Sequence, residues 1–131
     1  MTIESAIHST LTGATAVTSL VGDRVSPYID DEGADFPRIV YRIDADERIE
    51  QLIQNDSTRV ATVSIDCIAR SETSVSSLAD AVERTIRGVS PKGYSGVIIV
   101  QDSTGDGAPP FDGSRDPVYT RTFTNLVFYW S

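Results

Sequence analysis

Between residues 59 and 88 the chain changes its hydrophobic period once, and this constrains the fold more than any other feature. From Arg59 to Ala69 apolar and polar side chains alternate, with Ala61, Val63, Ile65 and Cys67 on one side. From Val75 the apolar positions become Val75, Leu78, Ala79, Val82 and Ile86, the spacing i, i+3, i+4, i+7, i+11. A period of two makes a strand with one apolar face; a period near 3.6 makes a helix with one apolar stripe. Each must bury that surface, which favours a helix layer stacked on a sheet. The helix has its own punctuation. Ser71 or Thr73 caps its start, Glu72 suits the positive end of its dipole, and Arg84 and Arg87 fall in its last turn. Gly88 ends it and Pro91 forbids continuation.

The flanking segments extend the pattern. Ile3, Ile7 and Leu11, with Ala6, predict a short N-terminal helix capped by Thr2 and stopped by Gly13. Thr15 then caps a brief second turn through Ala16, Val17 and Leu20, which Gly22 ends. Pro27 favours extended backbone before it. After an acidic loop at 30–36, Pro37 opens a strand in which Ile39, Tyr41 and Ile43 alternate with Val40, Arg42 and Asp44. Residues 46–58 read as a long hairpin connection. Val97 to Val100 is a further strand, 103–117 a loop rich in Gly, Pro and Asp, and Val118 to Trp130 a long closing strand. That last run exceeds the usual strand length, so part of it is expected to project beyond the sheet or to bend. The order α, β, β, α, β, β predicts an α+β fold, with two helices on one face of a mainly antiparallel sheet. The chain contains no internal repeat or linker, and residues 1–131 read as one domain.

Charge and residue inventory narrow the function. The formal net charge is -8, which repels phosphates and anionic membranes and disfavours conventional nucleic-acid binding. Cys67 is the single cysteine, placed as a buried small hydrophobe. No basic leader and no apolar run near the roughly 18 residues of a membrane span is visible. The sequence therefore places the chain in the cytoplasm or in an assembly built there.

Catalytic and metal signatures fail on inspection. His8 is the only histidine and reads as a helix-surface residue. Gly93-Tyr94-Ser95-Gly96 misses the nucleophile elbow by one position. Asp102-Ser103-Thr104-Gly105-Asp106-Gly107 lacks the calcium-loop acids, having Thr104 at the third position and Gly113 at the twelfth. Gly105 and Gly107 form no dinucleotide fingerprint, because Pro110 stands at the third glycine position. Asp44, Asp46 and Glu47 are clustered acids best read as a solvated strand end. The expectation is a protein that is not an enzyme, with no cofactor and no metal.

Four stretches resemble the tail-completion, or tail-terminator, family of long-tailed bacteriophages. They are Leu20-Val21-Gly22-Asp23-Arg24-Val25 followed by Pro27, Phe36-Pro37-Arg38-Ile39-Val40-Tyr41, the strand Arg59 to Ala69, and the helix Leu78 to Ile86 with Gly88. The resemblance implies a structural subunit of the virion tail or neck. It implies a ring, commonly a hexamer, that caps the tail tube, stops its growth and meets the head-side connector or stopper. The implied partners are further copies of the chain, the tube protein and the connector, with DNA passing through a channel without specific binding and no membrane contact. An acidic lumen suits such a conduit, since a basic one would hold phosphates.

Three patches are the candidate interfaces. One is Leu20, Val21, Asp23 and Arg24; the second is the hairpin tip with Arg48, Ile49, Leu52 and Ile53; the third is the later loop with Phe111 and Arg115. Two other classes remain open at this point. One is another phage head-tail connector (a stopper) or a tube protein. The other is a ferredoxin-like ligand-binding module.

Overall fold

A computed structural model describes residues 2–27, 36–48, 58–106 and 119–130. The elements run α1 (Ile3–Thr12), α2 (Thr15–Val21), β1 (Val25–Pro27), β2 (Arg38–Arg48), β3 (Arg59–Ala69), α3 (Glu72–Ile86), β4 (Ser95–Asp106) and β5 (Tyr119–Trp130). The fold is α+β, with one five-stranded sheet in the order β1-β2-β3-β5-β4. All pairs are antiparallel except β1 with β2.

The local chemistry sets the helix limits. Thr2 caps α1, its hydroxyl accepting from the Ser5 N–H at 3.2 Å while the Ser5 side chain answers the Thr2 N–H. Ser71 caps α3 by accepting from the Ser74 N–H at 3.0 Å. Thr15 differs from expectation: it is the first residue inside α2, Ala14 stands at the N-cap, and no side chain caps that helix. Among the described residues there are therefore three helices rather than two, the brief second turn being a helix of seven residues.

The helices cover one face of the sheet. Ile39 and Tyr41 of β2, Ala61 to Ala69 at alternate positions of β3, Phe123, Val127 and Tyr129 of β5, and Ile98 of β4 form the core with the helical stripes. From α3 these are Val75, Leu78, Ala79, Val82 and Ile86; from α1, Ile3, Ala6, Ile7 and Leu11. Cys67 lies in this core with no exposure, and burial pushes its thiol up to about 12. Asn125 is a fully buried polar residue of β5, with its Nδ2 donating to the Val63 carbonyl at 3.1 Å.

Two expectations about the strands are corrected. Residues 46–48 and 103–106 are strand rather than loop. Both extensions follow a register shift, between Ile43 and Ala45 in β2 and between Val100 and Asp102 in β4. A bulge lets a strand continue past residues of poor strand propensity. The long β5 neither projects nor stands unpaired: it is bonded to β3 over 119–129 and to β4 over 120–130. It reaches its length because β4 is longer than its apolar run.

The registers also fix two ends. Arg48, Arg59, Tyr129 and Gly96 share one end of the sheet; Arg38, Ile68, Thr120 and Asp106 share the other. The β2–β3 connection (49–57) thus leaves from the end opposite the β4–β5 connection (107–118).

Candidate functional site

At the β2–β3 end, three distant segments meet on one carboxylate. Asp46 Oδ1 accepts from Arg59 Nε at 3.1 Å and from the Tyr129 hydroxyl at 2.7 Å, and its Oδ2 lies 2.8 Å from the same hydroxyl. Arg59 also donates to the Asp46 carbonyl at 3.2 Å. The Tyr94 ring packs edge-on against Tyr129, centroids 5.0 Å apart. Burial first, then the hydrogen bond to Asp46 and its charge, raise the Tyr129 phenol to about 12. Hydrogen bonds to Asp46 and Tyr129 likewise push Arg59 upward. These groups line a cleft of about 480 Å³ with Thr2, Ile3, Glu4 and Trp130.

The carboxylate is satisfied by two donors, and the Tyr129 phenol beside it is held in its neutral form. The cluster fastens β2, β3 and β5 together where the 49–57 connection departs. Asp46→Asn is therefore expected to cost about 1–2 kcal/mol, mostly through the charge-assisted bond from the Tyr129 hydroxyl, because the solvent-exposed contact with Arg59 adds little. It should also lower the pH at which Tyr129 ionises, followed by phenolate absorbance.

The opposite face of the sheet has no helix over it among the described residues. Its β2–β3 end is apolar: Val60, Val97, Leu126 and Phe128 are half-buried, while Ile99 and Trp130 are 44% and 41% exposed. Its middle is polar. Asp66 accepts from Arg42 at 3.1 Å and from Thr122 at 2.8 Å, and the Ser64 hydroxyl donates to Asp44. At the far end the Arg38 and Arg70 guanidinium groups stack on the Phe36 ring, 4.1 and 4.3 Å from its centre.

The three interface candidates fare differently. Val21 is fully buried in the core. Arg24 is turned inward, donating to the Pro37 carbonyl at 2.9 Å and the Leu20 carbonyl at 3.3 Å. Leu20 and Asp23 remain on the surface. Arg48 is the last residue of β2. Ile49, Leu52, Ile53, Phe111 and Arg115 lie outside the described residues. The sequence does not announce the Asp46–Arg59–Tyr129 cluster: Asp46 reads there as one of the solvated acids, and only the strand register reveals its partners. His8 sits on α1 with its Nδ1 3.2 Å from the Tyr41 hydroxyl. Among the described residues no group of three or more His, Cys, Asp or Glu could hold a metal ion, and no helix is long and apolar enough to cross a membrane.

Comparison with known proteins gives likeness of two kinds, in family sequence and in structure. The family model for tail completion protein gp17 matches residues 5–106. In structure, the chain is similar to one from the virion of a native gene transfer agent particle, with a TM-score of 0.71. The likeness covers 96% of this chain and 92% of that one at 11% identity, so it speaks to the fold. No curated protein matches the sequence.

Proposed function

The chain belongs to the tail completion protein gp17 family and is thus a structural protein of the phage tail or neck, and from that premise we propose that it closes the tail tube as a ring. The family match over residues 5–106 carries this reading. In it, residues 1–131 act as one tail-completion domain and copies of the chain, six in the commonest arrangement, form a closed ring. The ring stops tube growth, offers its other side to the head-side connector or stopper, and lets DNA through without holding it. The protein does no covalent chemistry and needs no cofactor.

Several observations support the reading. The net charge of -8 suits a conduit for phosphates. The helix-free face exposes a patch containing Ile99 and Trp130, the kind of surface that marks a contact. The likeness to a virion chain extends over nearly the whole of both molecules.

Omitting the protein during assembly is the test. Overlong or headless tails, seen by electron microscopy and restored by adding the protein back, are the expected result. Normal tails on heads that leak DNA would instead assign it to the stopper position. Normal, infectious particles would end the structural reading.

A further inference from the structure

Among the described residues three large apolar side chains are exposed, and they fall on two sides of the molecule. Ile99 and Trp130, at 44% and 41%, belong to the helix-free face of the sheet. Leu20, at 36%, belongs to α2, which buries Val17 and Val21 in the core on the other side.

The registers shape the first patch. Val60, Phe128 and Val97 stand level across β3, β5 and β4; Leu126 and Ile99 form the next row, and Trp130 ends β5. The register shifts of β2 and β4 lie outside these rows, so the side chains share one face. None of them is charged, and Glu47 of β2 borders them. Phe128 and Val97 are half-buried, which leaves a shallow floor between the more exposed Ile99 and Trp130. The second patch is as neutral. α2 contains no charged residue, and its exposed positions are Thr15, Ala16, Ser19 and Leu20, one large apolar side chain among small ones.

We propose that α2 of one copy packs on the helix-free patch of the next, with Leu20 seated over Phe128 between Ile99 and Trp130. This rests on the ring reading and names its contact surface. The two patches are unlike and lie on opposite sides of the sheet, and contact between unlike surfaces generates rings rather than two-fold dimers. Charge supports the pairing next. Each copy carries a net charge of -8, which opposes association, so copies meet best where neither surface is charged. Size is the third support. A helix of seven residues is about 10 Å long. The patch is about 10 Å wide across three strands and about 13 Å long from Leu126 to Trp130. The contact takes the exposed apolar groups of both patches out of water and covers the second face of the sheet at that end. Its footprint is well below the roughly 800 Å² per partner of a stable pair. Two copies alone therefore hold weakly, and the seam forms where a tube gathers them.

Cross-linking tests the contact. Leu20→Cys and Ile99→Cys replace exposed side chains, and the buried Cys67 stays silent. The chain carrying both changes is assembled on tail tubes and treated with a short bismaleimide. A ladder of covalent multimers on denaturing electrophoresis is expected. Neither single variant should cross-link alone, while a mixture of the two should give dimers and nothing larger, because each seam joins unlike patches. Rings seen by electron microscopy without cross-links would overturn the contact and leave the ring intact. Dimers from one single variant alone would show like patches meeting and overturn it too. Leu20→Lys and Ile99→Lys repeat the test without cysteine: each should melt like the parent chain and leave tube ends bare, and rings formed by either would overturn the contact. No ring from the parent chain, with or without tubes, would overturn both the contact and the ring.

Discussion

Gly96→Ala is expected to lower the stability of the protein by about 3 kcal/mol or more, with a fall in Tm of about 10 °C. Gly96 has φ +147 at the start of β4, opposite Tyr129. A Cβ placed there would lie 1.9 Å from the Phe128 carbonyl oxygen and 2.8 Å from the Tyr129 Cα. Both are backbone atoms of the paired strand, so no side-chain rotation relieves the clash; the two strands must separate. Separation would also disturb Tyr129 and its bond to Asp46. Gly88→Ala is the control. Gly88 has φ +75 but nothing within 4 Å of the added Cβ. It suffers the backbone penalty alone, about 1 kcal/mol. Thermal unfolding of the two variants should separate conformational strain from collision; equal losses would refute the steric account.

The second large effect is alkaline unfolding. The Cys67 thiol rises from 9.0 to about 12, mainly through burial, and Asp66 adds to it. The Tyr129 phenol rises from 10.0 to about 12. Both are acids whose folded pKa lies above the unfolded one. Their neutral forms are kept in the folded state, while the unfolded chain releases its protons first. The contribution of these two groups is therefore fully present below about pH 9 and is lost between pH 9 and 12. At pH 11 the thiol alone accounts for about 3 kcal/mol, at 1.36 kcal/mol per unit. Urea unfolding at pH 8 and pH 11 measures this. Cys67→Ala should begin less stable, because it leaves a small cavity, yet lose much less on going to pH 11. An unchanged slope in that variant would remove Cys67 as the cause.

How legible the fold is in sequence depends on where the determining contacts lie. β3 and α3 are bounded correctly because their periodicities are internal to the segment. β4 is underestimated because 103–106 contains residues of turn chemistry, Ser, Thr, Gly and Asp, that become strand through pairing with β5. Nothing within 95–106 announces that partner. The placement of β5 between β3 and β4, the parallel β1 and the two bulges are likewise consequences of pairing between distant segments. The same holds for the cluster around Asp46. Arg59 is its neighbour across a hairpin and Tyr129 lies 83 residues away. Among the surface candidates, Leu20 is legible as an exposed apolar residue, whereas Val21 and Arg24 are consumed in closing α2 onto the sheet. Trp130 and Ile99 became visible as a patch only when β5 and β4 were placed side by side.

The departure of the 49–57 and 107–118 connections from opposite ends of the sheet gives a ring a built-in direction. Rotation about a single axis repeats each connection around one mouth and never carries it to the other. In the proposed ring, with the strands set along its axis, Glu47 and Arg59 would recur around one rim and Gly105 and Tyr119 around the other. Two rims built from different residues would let a change at one leave the other untouched, and such a piece would fit between two unlike neighbours in one orientation only.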